Sequence, residues 1–164
     1  MEFNEIIEDI ITNKEVLRMQ EFRQHGNISC YEHSLRVAYY CYFLCKLLRL
    51  DYYSAARASV LHDFYLYDWH VKEKYHKWHG FIHGKIAYNN AKCYFVLNDM
   101  ERDIIVNHMF PLSLGLPRYK ETLVITLVDK WCAVNETLLA IYSALKRRNS
   151  FQYLYIILYL VIKK

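Results

Sequence analysis

Ser29-Cys30-Tyr31-Glu32-His33-Ser34-Leu35-Arg36-Val37 opens the stretch that decides the fold. Ser29 followed three residues later by Glu32 is a capping box, in which hydroxyl and carboxylate satisfy each other's free backbone N–H groups at a helix start. A helix therefore begins here and runs on through Val37, Leu44 and Leu48. His33 falls in its first turn.

Working outward, Asp51 reads as the N-cap of a next helix carrying Ala55, Ala56, Val60 and Leu61 up to His62-Asp63. The stretch from Phe64 to Gly80 is aromatic, basic and rich in histidine without clean periodicity, and is expected to be a long loop over the molecule. A further helix is predicted from about His83 to Val96. Asn98-Asp99-Met100-Glu101 caps a short helix ending near His108. After a loop spanning Pro111 to Pro117, Glu121 to Leu145 reads as one long helix, and a helix or helix pair covers about 3–22. No alternating strand pattern occurs. The fold class is all-α, a single-domain helical bundle over 1–164.

Composition agrees. The 164 residues are 54% hydrophobic and 23% charged, which is globular rather than disordered. A net charge of +4, spread along the chain, gives no arm for duplex nucleic acid, yet suits a phosphorylated substrate. Five cysteines without a C-x-x-C pair read as small buried hydrophobes in a reducing cytoplasm. The acidic N-terminus carries no signal-peptide pattern. Tyr153 to Ile162 is continuously apolar but far shorter than the about 20 residues of a spanning helix, so a C-terminal apolar helix over about 150–162 is expected to be buried or to join chains in a homo-oligomer.

Six residues carry the chemistry: His33, the doublet His62-Asp63, His83, His108 and Asp129. Imidazole nitrogens and carboxylate oxygens are ligands for divalent cations. A helix end lets both members of an adjacent doublet approach one centre, and helical bundles build metal sites from several facing helices. Asp129 sits in the apolar run Leu127-Val128-Asp129-Lys130-Trp131, where a carboxylate needs a cation, a salt bridge to Arg36 or Lys46, or strong hydrogen bonds. His79, four residues before His83, is the alternative ligand there. His25, His70 and His76 read as surface or loop residues.

The ordered set His33, His62-Asp63, Asp129, in the contexts Tyr31-Glu32-His33-Ser34-Leu35-Arg36 and Val60-Leu61-His62-Asp63, resembles the H…HD…D signature of the HD-domain phosphohydrolases. The resemblance covers roughly 23–136. His83 and His108 look like the two extra histidines of two-metal members, and the layout is most similar to the bacterial HD hydrolases of dinucleoside tetraphosphates. The Gly-Tyr-Pro signature of the cyclic-dinucleotide phosphodiesterases is absent. Many HD enzymes carry a Lys soon after the doublet; here Asp68 stands in that region, as a proton acceptor or as a loop cap.

The implied activity is hydrolysis of a phosphate ester or anhydride, of a nucleotide by preference, by a metal-activated water, with Asp63 and Asp68 as catalytic carboxylates. The implied cofactor is a divalent metal, two ions, with iron or manganese favoured and zinc, nickel or magnesium as further candidates. Arg36, Lys130 and Arg118 are the candidate phosphate-binding cations, with Lys85 behind them. A non-catalytic nucleotide- or metal-binding regulatory module is the competing reading, and a purely structural helical protein the third.

Overall fold

The computed structural model describes residues 1–71, 78–113 and 115–162, with side chains placed up to 148. Among the described residues seven α-helices follow one another: α1 (Phe3–Ile11), α2 (Lys14–Leu17), α3 (Cys30–Leu47), α4 (Tyr52–Leu61), α5 (His79–Ala91), α6 (Asp99–Asn107) and α7 (Lys120–Ile162). A 3-10 turn, Arg18–Glu21, follows α2, and no strand occurs among the described residues.

The caps read from the sequence set the helix starts. Glu32 N–H donates to Ser29 Oγ at 3.2 Å and Ser29 N–H to Glu32 Oε2 at 2.9 Å, closing the box that opens α3. Ser54 N–H donates to Asp51 Oδ1 at the start of α4, and Asn98 forms the corresponding box with Glu101 at α6. At its other end, α3 stops where Arg49 takes a left-handed conformation (φ 57°) and Leu50 N–H reaches back to the Cys45 carbonyl.

α4 is built from small residues, and Ser54, Ala55, Ala56, Ala58 and Ser59 are all buried. Short side chains let α1, α3, α6 and α7 close around it. The core beside it comprises Ile6, Ile7 and Ile10 of α1, Val37 and Cys41 of α3, Ile104 and Ile105 of α6, and Ile125 and Cys132 of α7. Arg57 ties this centre to its neighbours, with a two-pronged bond to Asp9 and an ion pair to Glu101 at 3.4 Å.

Three boundaries depart from the expectation. α5 starts at His79 and ends at Ala91, so its helical turn already includes the alternative histidine. The long helix and the apolar C-terminal helix are one continuous element, because nothing breaks the backbone between Lys120 and Ile162. In the aromatic stretch, Phe64 and Tyr65 are buried core residues rather than parts of an outer loop; positions 72–77, which include His76, lie outside the described residues. Four cysteines are buried as expected, while Cys93 is exposed. Among the described residues, no helix is long and apolar enough to cross a membrane.

Candidate metal centre

The doublet occupies the point where α4 ends. His62 keeps helical dihedrals as the C-cap, and the chain turns immediately after it, with Tyr65 N–H donating to the Asp63 carbonyl at 2.8 Å. That turn aims both side chains inward, where α3, α5, α6 and α7 each add ligand-type groups. The six residues singled out in the sequence form one buried cluster.

Asp63 is its hub, and its two oxygens face different partners. Oδ2 lies 3.2 Å from His62 Nε2 and 4.0 Å from His33 Nε2. Oδ1 lies 3.3 Å from His83 Nε2 and 3.7 Å from His108 Nε2. Asp129 Oδ1 approaches His33 Nε2 at 3.0 Å and His62 Nε2 at 3.7 Å. Two groups of these atoms could hold a metal ion: His33, His62 and Asp129, and His62, Asp63 and His108.

The outer nitrogens fix the tautomers. Nδ1 of His62 donates to the Ser59 carbonyl at 2.7 Å, that of His83 to the His79 carbonyl at 2.8 Å, and that of His108 to the Ile105 carbonyl at 2.8 Å. His33 Nδ1 donates to Glu136 Oε2 at 2.9 Å. Carbonyl and carboxylate oxygens only accept, so each Nδ1 carries the hydrogen and each Nε2 presents its lone pair to the centre. This is the orientation in which metal-ligating histidines are held.

Three features of the centre call for positive charge. His83 Nε2 and His108 Nε2 lie 2.9 Å apart, a contact that two lone pairs make only around a proton or a cation. His62 Nε2 and Asp63 Oδ1 are buried without a hydrogen-bond partner among the described residues. Two carboxylates are buried together, at a cost that needs compensation. The donor set therefore fits divalent cations.

In the metal-free chain, protons take that role. Burial pushes the His33 pKa down, but hydrogen bonds to Asp129 and Glu136 outweigh it and hold it at about 9. Burial likewise opposes charge on His62 and His83, and the Asp63 carboxylate overrides it, raising both. His108 goes the other way, to about 3, through burial and the positive charge of its two histidine neighbours. Burial favours neutral Asp63 and Asp129, yet their histidine partners keep both carboxyls below the usual carboxylate range.

A cavity of about 230 Å³ opens over this cluster, lined by Asp63, His83, His108 and Asp129 together with Gln24, His25, Trp69, His79 and Lys130. Of the three leading candidate cations, only Lys130 lines this cavity among the described residues, with Nζ donating to the Phe110 carbonyl at 2.9 Å. The other two lie elsewhere. Arg36 Nη1 donates to Glu136 Oε1 at 2.9 Å, so it supports the carboxylate behind His33 rather than facing the cavity. Arg118 sits in a loop whose backbone is tied to Asp103 and borders a different surface hollow with Asp99 and Arg102. Asp68 is half-exposed and accepts from His70 N–H and Nδ1, which is the loop-cap arrangement. Asp129 pairs with histidines, not with Arg36 or Lys46.

Four residues at the centre had no role in the sequence reading. Glu136, fully buried, orients His33; it lies seven residues after Asp129, two turns on along the same face of α7. Gln24 Nε2 donates to Asp63 Oδ2 at 2.6 Å, and Tyr65 Oη donates in turn to Gln24 Oε1. Just after Gln24 the chain turns at Gly26, with φ +60°, close against Ala140 of α7. His25, expected at the surface, is half-buried edge-on to His33 and lines the cavity. No known family model, curated protein or solved structure matches the chain. What fold and site define is a class: an all-α protein with a buried His/Asp centre open to one small cavity.

Proposed function

We propose that this chain is a metal-dependent phosphohydrolase of the HD type, cleaving a phosphate ester or anhydride of a nucleotide-like substrate. The observation that carries this reading is the arrangement of four histidines and two aspartates, with every Nδ1 held from outside and every Nε2 turned inward onto Asp63 or Asp129. A structural histidine in a core needs one satisfied nitrogen on each side; four of them converging on two carboxylates serve a shared ligand.

His33, His62 and Asp129 would hold one divalent cation, His83 and His108 a second, and Asp63, with an oxygen on each side, would join them. Bound cations supply Lewis acidity and lower the pKa of a water at neutral pH. The chain's own residues do the rest. Gln24 fixes the rotation of the Asp63 carboxylate through Oδ2, and Tyr65 holds Gln24 from behind. Lys130 supplies the positive charge at the cavity that phosphate oxygens require. A volume of about 230 Å³ admits the phosphoryl end of a substrate and leaves the remainder towards solvent.

The test is metal analysis of the purified protein followed by turnover of a phosphodiester and nucleotide panel with manganese, iron, zinc or magnesium. Stoichiometric metal with hydrolysis that disappears in Asp63→Ala is expected. Protein that holds metal and binds nucleotides without turning them over would make it a regulatory module, and protein that takes up no metal would overturn the reading altogether.

A further inference from the structure

α7 carries two apolar faces, and the centre described above uses only one. On the opposite side Leu127, Trp131, Val134, Leu138 and Ile141, with Leu123 and Leu145 at either end, are each 47–70% exposed. Their spacings, four and three residues in turn after Leu127, follow the seven-residue repeat of a coiled-coil seam. At about 100° per residue the seven fall within roughly 80° of arc. The face matches a partner helix with the same repeat.

From this geometry we infer that the chain forms a two-fold symmetric homodimer through antiparallel packing of α7 on α7 of a second copy, centred on Val134. The stripe is close to palindromic about that residue. Leu123 falls opposite Leu145 and Leu127 opposite Ile141, while Trp131 faces Leu138 one position out of step, so that every apolar position meets an apolar position of an identical helix. No charged side chain lies within the stripe, and Lys130 at its margin is drawn to the Phe110 carbonyl, so identical faces approach without repulsion.

The helix α3 completes the surface. Tyr40, Phe43 and Leu44 stand beside Leu127 and Trp131 around an apolar hollow of about 330 Å³. The antiparallel register lays Leu138 to Leu145 of the second copy along this hollow. The area is also that of a stable pair. Tyr40, Phe43 and Trp131, about half-exposed aromatics, offer about 300 Å², and the aliphatic positions with Leu47 add about 500 Å². That reaches the roughly 800 Å² per partner of a standard interface.

Light scattering on the eluting full chain, over a wide concentration range, tests the inference. Twice the single-chain mass of 19.9 kDa is expected. Leu127→Glu combined with Ile141→Glu should halve that mass with unchanged helical circular dichroism, since both positions are exposed and outside the core. Val134→Cys should cross-link to itself on oxidation beyond the level of the unsubstituted chain, and Leu127→Cys only when mixed with Ile141→Cys. A single-chain mass at all concentrations overturns the proposal, and if that species partitions onto lipid vesicles the face belongs to a membrane surface. A dimer that survives the double glutamate variant, or Leu127→Cys cross-linking to itself, overturns it equally, through the wrong face or a parallel register.

Discussion

Asp63 and Glu136 do different work at the centre although both are buried carboxylates. Asp63 has histidines on both oxygens, so removing it leaves four inward nitrogens without their hub. Asp63→Ala is expected to lose both metal content and hydrolysis, read by metal analysis and phosphate release. Glu136 acts through His33 Nδ1 and is itself held by Arg36. Glu136→Gln keeps the shape but weakens the hold on the imidazole, and outer carboxylates of this kind are worth about 10–100-fold in metal affinity. A competition titration with a chelating dye should show a loss in that range, with Arg36→Ala falling in the same direction by less. If Arg36→Ala instead raised KM and left metal affinity untouched, its role would be at the substrate and not behind His33. Asp68→Ala should change neither metal content nor rate, because that carboxylate is engaged by His70.

At the scale of elements, the centre depends on how closely α5 lies on α6. Gly84 is where they touch: a Cβ there would stand 2.7 Å from the Ile105 carbonyl oxygen and 2.9 Å from that of Val106. Alanine in a helix normally gains up to about 1 kcal/mol over glycine. Here rigid backbone cannot give way, and overpacking costs typically 1–3 kcal/mol. Gly84→Ala should therefore lower stability by up to about 2 kcal/mol in urea melts and, by pushing His83 away from His108, reduce bound metal. Ser29→Ala tests a different element. It removes the cap of α3 at a cost of about 1 kcal/mol, and its effect on metal should be smaller because the fold still carries His33 in place.

For the whole molecule, a cation bound at the centre would compete with protons. His33 has its pKa raised from 6.5 to about 9 in the metal-free fold. A raised pKa stabilises that fold fully below pH 6.5, and this contribution is lost as pH rises towards 9. A cation needs the same nitrogen deprotonated, so its affinity climbs over that interval. The difference in Tm between metal-loaded and chelator-treated protein should widen from pH 6.5 to 9, and calorimetric metal titration within the window should release protons to the buffer. A gap that narrows with rising pH would contradict this balance. A cation present at a hundredfold above its Kd would stabilise the fold by about 2.7 kcal/mol.

What could be read without coordinates was whatever is encoded locally. The capping boxes at Ser29 and Asn98 and the Asp51 cap depend on residues three apart, and all three start the helices they were expected to start. The six ligand types stood out because histidine and aspartate are costly inside apolar helices. Long-range pairing was not legible. Only the folded chain decides that Gln24 meets Asp63 across 39 positions, that Arg36 turns to Glu136 instead of the cavity, and that Lys130 but not Arg118 stands over the centre. A helix start is a matter of a few neighbouring hydrogen bonds, whereas the partner of a buried charge is chosen by which helices pack together.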